Sequence, residues 1–168
     1  MPPSLTPDDL RHLRRCLALA SEALEAGDEP FGSLLIGADG ELLAEARNRV
    51  NERNALAHPE LALAQWAADH LSPAARAATT LYTSGEHCPM CAAAHGWLGL
   101  GKIVYLSSGE QLTQWLADLG APNAPVRLLP IATVVPTAEV AGPADGELLL
   151  AIKNLQVAYH TRRLAAGK

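Results

Sequence analysis

Cys88 and Cys91 stand with two residues between them in the stretch "SGEHCPMC", in a chain of 168 residues that holds three cysteines. That is the spacing of a redox pair or of half a zinc site. Pro89 suits the first position of a helix, which sets Cys88 at the end of a turn and Cys91 in the opening helical turn. Both sulfurs can then converge on one point, and the unpaired N–H groups of the helix start favour thiolate over thiol. A partner is offered upstream by "ALAHPELALAQW". There His58 begins another helix, again just after irregular chain. In a layered fold the starts of helices that follow neighbouring strands gather at one sheet edge, so His58 becomes the third ligand. Three protein ligands leave one tetrahedral position for water, the arrangement of a catalytic zinc. Glu60, two residues on, is too near along the chain to ligate easily and is placed to hold that water's proton. Two other readings stand beside this one. A redox pair leaves His58 and Glu60 without a role. A purely structural zinc needs a fourth ligand, for which His87 is nearest, and leaves Glu60 unexplained.

The elements that must position these residues can be read from pattern. Thr6-Pro7-Asp8-Asp9 caps a helix, and Leu10, Leu13, Leu17, Ala20 and Leu24 continue it at helical spacing. Cys16 falls inside that helix as a small buried hydrophobe. "FGSLLIGADGELLAEARNRV" reads as a hairpin turning at Asp39-Gly40. "PELALAQWAADHL" and "PMCAAAHGWLGL" read as two buried helices, with the strand "ATTLYTS" between them. "KIVYLS" is a further strand and "EQLTQWLADLG" a helix with an exposed face. "VRLLPIATV" is a fifth strand that Pro130 confines to an edge. "PTAEVAGPADG" is a connector. A last helix, about 146–165, carries Leu148, Ile152, Leu155 and Tyr159 on one face. Strands alternating with helices after a hairpin predict an α/β fold, a three-layer α/β/α sandwich with a mixed five-stranded sheet.

Composition narrows the partners. The length favours one domain over residues 1–168. Mean hydropathy is +0.07, and no apolar run reaches the roughly 18 residues of a membrane span. "MPPSLTPDD" lacks the basic start and apolar stretch of a signal peptide, so a cytoplasmic location is the expectation. A net charge of −5, with no basic run beyond paired arginines, argues against nucleic acid and for a small substrate.

Together "EPFGSLLI", "RNRV", "AHPE" and "YTSGEHCPMC" resemble the cytidine deaminase-like zinc hydrolases, whose signature is H-x-E with P-C-x-x-C. Within them the chain is most similar to the branch of guanine deaminases and tRNA adenosine deaminases. The similarity runs from about Asp28 to Tyr105 and fades beyond. The resemblance implies a Zn²⁺-dependent hydrolytic deaminase of a free aminated nucleobase, such as guanine, isoguanine, cytosine or an amino-triazine. A tRNA adenosine deaminase is the alternative enzyme. Zinc lowers the pKa of its water toward about 7, and Glu60 shuttles the proton to the ring and then to departing ammonia. The resemblance also assigns Asn48 to a ring carbonyl or nitrogen, Phe31 to packing beside the ring, and the Ser84 carbonyl to the leaving amine. Trp97, two turns past Cys88, is a candidate pocket wall.

Two departures from the family pattern stand out. Pro59 replaces a small residue whose backbone N–H helps hold substrate, and proline has none. His87 replaces a proline, as a candidate pocket residue or zinc neighbour. His95 lies one turn beyond Cys91, a core position behind the ligands or a substrate contact. By analogy with guanine deaminases, Glu110 handles a second proton, and Tyr159 and His160 close the pocket. In those enzymes the C-terminal segment comes from the partner of a homodimer.

Overall fold

A computed structural model describes residues 4–168. Its elements are α1 (Pro7–Glu25), β1 (Gly32–Ile36), β2 (Leu42–Arg47), α2 (Pro59–His70), α3 (Pro73–Ala77), β3 (Thr80–Gly85), α4 (Pro89–Leu98), β4 (Lys102–Ser107), α5 (Gly109–Leu119), α6 (Ile131–Val134), β5 (Val140–Ala141) and α7 (Gly146–Ala165). The sheet has the order β2-β1-β3-β4-β5. β1 runs antiparallel to β2 and β3, while β3, β4 and β5 are parallel. The sheet is therefore mixed and five-stranded, with helices on both faces.

The helix starts follow the local chemistry of the sequence. Thr6 and Asp9 form a reciprocal capping box at α1, and Ser108 with Gln111 form another at α5. Each box satisfies two N–H groups that a helix start leaves open. α2, α3 and α4 each carry proline in the first turn, where its missing N–H costs nothing.

Two cores hold the layers. On one face α1 and α7 pack on β1, β3 and β4 through Leu13, Cys16, Leu34, Val104, Leu106 and Ile152. On the other, α2 covers the sheet through Leu35, Leu63, Ala67 and Leu81, with α4 beside it. α5 packs on α7. The first core depends on one close approach. A Cβ on Gly32 would meet Cys16 O at 2.5 Å and Ala20 N at 2.8 Å, and would overlap Leu19 Cβ. These are helix backbone atoms, so α1 would have to lift off β1. Gly32→Ala should cost about 3 kcal/mol, a fall of about 6–12 °C in melting temperature for a chain of this size. Thermal unfolding followed by circular dichroism checks it.

The fifth strand is not where the sequence pattern predicts it. Residues 126–130 form no strand, Ile131–Val134 form the short helix α6, and β5 is Val140–Ala141, inside the stretch read as a connector. Pro130 brings no N–H to a ladder. Ile131 N donates instead to the Glu86 carboxylate at 3.0 Å, which starts a helical turn there. The terminal helix has the predicted bounds and packs on α1 and α5 of its own chain.

Candidate metal and active site

The parallel strands β3 and β4 end side by side, pairing Gly85 with Ser107. α4 begins just past β3, with Cys88 as its N-cap, and α2 begins with His58 as its N-cap. The two cap side chains turn to a common point, where one ligand atom each from His58, Cys88 and Cys91 lies within 4.8 Å of the others. His58 Nδ1 is 3.5 Å from Cys88 Sγ and 3.6 Å from Cys91 Sγ. A tetrahedral zinc with bonds of about 2.3 Å to sulfur and 2.0–2.1 Å to nitrogen sets its sulfur–nitrogen edges near about 3.6 Å. The donor set and its spacing fit that ion.

The charges of the three ligands are interlocked. Hydrogen bonds from Cys91 and His58 hold the Cys88 thiol below its usual range. The Cys88 sulfur in turn raises the proton affinity of both His58 and Cys91. This electron-rich sulfur pair suits a cation.

Glu60 is 5% exposed and lines the same cavity. Its Oε1 accepts from Thr83 Oγ1 at 2.8 Å, and Thr83 Oγ1 accepts from Ser33 Oγ at 2.9 Å. Ser33 and Thr83 are paired across β1 and β3. The sheet register therefore aims the carboxylate. Burial raises the proton affinity of Glu60, and the His58 charge and the Thr83 hydroxyl pull it part of the way back.

The cavity holds about 320 Å³. Asn48, 1% exposed, lines it with Oδ1 already accepting from Val50 N at 3.0 Å, which leaves its Nδ2 protons for a ligand. Phe31 lines it as well, and its ring crosses Gly85 so closely that a Cβ there would lie 2.8 Å from Phe31 Cε1. Pro59, His87 and Tyr159 also contribute to the wall. Tyr159 is held in place because its hydroxyl accepts from Asn51 Nδ2 at 2.9 Å. His87 is buried with neither ring nitrogen bonded, and burial, then His95, holds its proton affinity well down.

Four residues singled out by sequence are not brought to the cavity wall. Trp97 is 90% exposed at the end of α4. Ser84 lies one residue behind the wall, which begins at Gly85. Its Oγ accepts from Gly32 N and its carbonyl from Ser107 Oγ, so it joins strands. His95 is buried behind His87, edge-on at 5.4 Å, with Nε2 on Gly101 O. Glu110 is exposed on the first turn of α5 and outside the lining.

Other residues here have no signature along the chain. Glu86 accepts from Gly109 N at 2.9 Å and Ile131 N at 3.0 Å, stapling the β3–α4 turn to α5 and α6. Asp28, 1% exposed, takes Arg47 Nη1 at 3.0 Å and the amides of Asn51 and Glu52. It fixes the segment that presents Asn48. Thr83, Ser33 and Gln156 complete the set.

Comparison with known proteins gives three kinds of likeness. The pattern of the cytidine and deoxycytidylate deaminase zinc-binding region matches residues 6–107. A probable cytosine deaminase of Schizosaccharomyces pombe is 30% identical over 110 residues, covering 64% of this chain and 65% of the relative. The tRNA-specific adenosine deaminase of Bacillus subtilis is 33% identical over 102 residues, covering 60% and 62%. The chain thus spans a little under two thirds of the length of each of these relatives. A solved guanine deaminase from Nitrosomonas europaea superposes with a TM-score of 0.67 at 22% identity, covering 96% of this chain and 88% of that one. That likeness is one of fold.

Proposed function

The chain belongs to the cytidine and deoxycytidylate deaminase zinc-binding family, and from that premise we propose that it is a hydrolytic deaminase of a free nucleobase, of the guanine type. The observation that carries the reading is a partly open cavity of about 320 Å³ beside the three metal ligands, a size that suits a flat ring. The cavity beside His58, Cys88 and Cys91 is walled by Gln156, Tyr159, His160 and Arg163 of α7 and by residues 121–125, all from the same chain. A flat ring fits such a slot, whereas a folded RNA loop needs a longer phosphate track than the Arg163 and Lys168 that line this one. The net charge of −5 supports the small ligand.

His58 Nδ1 and the sulfurs of Cys88 and Cys91 would hold Zn²⁺, which when bound supplies the Lewis acidity that makes water a nucleophile near neutral pH. Glu60 takes one proton from the water and gives it to a ring nitrogen as the water oxygen bonds to the amine-bearing carbon. It then takes the second proton from that new hydroxyl and passes it to the amine, whose bond to carbon breaks to release ammonia. Burial suits Glu60 to the task, because a shuttle must both accept and release protons at the working pH. Thr83 holds the carboxylate in one orientation throughout. Asn48 offers donors to a ring carbonyl or nitrogen, and Phe31 packs on the ring face. Pro59 brings no N–H to the wall, so any donor on this edge of the slot must come from another residue.

The second reading, a tRNA adenosine deaminase, is favoured by the 33% identity to the Bacillus subtilis enzyme. An ammonia-release screen of the zinc-loaded protein separates the two. Guanine, isoguanine, cytosine, adenine, their nucleosides and a tRNA anticodon stem-loop are offered at low and high salt. Salt-insensitive turnover of a free base is expected. Turnover confined to the stem-loop, falling steeply with salt, would replace this reading with the second.

The slot also predicts the effect of a single methyl. Gly85→Ala must push the Phe31 ring toward the ligand space, since a Cβ would sit 2.8 Å from Cε1. KM for the base should rise about tenfold, with kcat much less changed, because ring binding is lost uniformly in ground and transition states. Steady-state kinetics on the two proteins checks it.

A further inference from the structure

The cavity wall carries acceptors that the chemistry above does not use. Gln156 sits on α7, 2% exposed, and lines the cavity. Its Nε2 donates to Pro30 O at 3.1 Å. That bond fixes the amide, because the reversed orientation would set two oxygens against each other. Oε1 is left buried with no partner. A buried acceptor without a donor is costly and calls for an explanation. Beside Pro30, Glu29 lines the same cavity, and its carboxylate accepts from no group among the described residues.

The placement of this pair relative to the metal ligands gives it meaning. His58, Cys88 and Cys91 come from α2 and α4 on one face of the sheet, and Gln156 comes from α7 on the other. The cavity lies where the two layers meet at the strand ends. A flat base whose amine-bearing carbon faces the metal side turns its far edge toward α7. In aminated nucleobases the nitrogen that bears the sugar lies across the ring, or in the fused ring beyond, from that carbon. In the free base it is an N–H donor.

We propose that Gln156 Oε1, with the Glu29 carboxylate as a second acceptor, receives this N–H and so selects free bases over their N-substituted and nucleoside forms. The inference rests on the free-base reading above and adds the group that enforces it. Gln156 is a specificity-determining residue, and the hydrogen bond it offers is lost to any base whose ring nitrogen is alkylated. A site built to pair with a donor rejects the analogue lacking it, because its own acceptor is then left unpaired.

The test uses two matched pairs, guanine with 9-methylguanine and cytosine with 1-methylcytosine, on zinc-loaded wild type, Gln156→Leu and Glu29→Leu. Turnover and equilibrium binding by calorimetry are both measured, with zinc content and melting temperature as folding checks. Wild type should prefer the N–H member by about a hundredfold, the cost of leaving a buried acceptor unpaired. Gln156→Leu should reduce that preference to less than about tenfold. Its loss should appear in KM and binding of the N–H member, with kcat changed much less. Glu29→Leu, at a half-buried position whose carboxylate lies in the field of His58 and Cys88, should reduce the preference in the same direction with zinc content unchanged. An undiminished preference in both variants overturns the proposal, as does an equal loss for both members of a pair. If no base turns over but the N–H members still bind preferentially and the variants erase this, the deaminase reading falls and the acceptor role stands. If no base binds wild type, both fall.

Discussion

Glu60→Gln is expected to lower turnover by about 10²–10⁴-fold or more while leaving zinc content at one per chain. The amide keeps the shape of the side chain and can still meet Thr83 Oγ1, which now lies 2.8 Å from Oε1. It cannot take up a proton, so the water loses its base and the amine its acid. The metal ligands are untouched, since among the described residues the group that could hold the ion is His58, Cys88 and Cys91. Substrate affinity should change little, and binding of a base to the variant can therefore be measured without turnover. Zinc analysis by atomic absorption, with ammonia release, checks both halves. Zinc loss in the variant would make Glu60 a ligand or a support for one. A near-normal rate would remove it from the chemistry altogether.

What the sequence reveals of this site is what depends on local spacing. His58, Glu60, Cys88 and Cys91 lie at two helix starts, where proline and the cap positions are visible in the letters themselves. The layered mixed sheet follows from the same periodicities. What stays hidden depends on strand register or on contacts between distant segments. Thr83 reaches Glu60 because Ser33 pairs with Thr83 across β1 and β3, a fact of register. Gln156 meets Pro30 from a helix that begins more than a hundred residues later. Asp28 and Glu86 are ordinary acids until the amides they collect are seen. Trp97 illustrates the opposite error. It lies nine residues beyond Cys88, and at about 100° per residue that is half a revolution, the far side of the helix. It faces solvent for that reason. Ser84, whose carbonyl the resemblance assigns to the leaving amine, lies one residue behind the cavity, and that carbonyl accepts from Ser107 Oγ. The predicted strand around Pro130 gives way because Glu86 captures the next amide before any ladder can.

Cys91→Ala should abolish zinc binding and reduce turnover below detection, yet leave a folded protein. Cys91 is nearly fully buried, and its sulfur lies 3.6 Å from His58 Nδ1. Removing it leaves two protein ligands where a catalytic zinc takes three. Whether the fold survives depends on where its stability resides. The main clusters, one around Leu13, Leu34 and Ile152 and the other around Leu35, Leu63 and Leu81, are built without any of the three ligands. α2 and α4 pack directly on each other, and α2 also packs on the sheet. A metal bound only by the folded chain still adds stability by mass action, about 4 kcal/mol when zinc stands at a thousand times its dissociation constant. At about 2–4 °C per kcal/mol the variant should melt roughly 8–16 °C lower than the loaded protein. It should melt close to wild type stripped by a chelator. Collapse of the circular dichroism spectrum at 25 °C on zinc loss would show that the ion holds the fold together, which is the behaviour of a structural site. Retention of the spectrum with loss of ammonia release is the behaviour of a catalytic one, and the two intact cores favour that outcome.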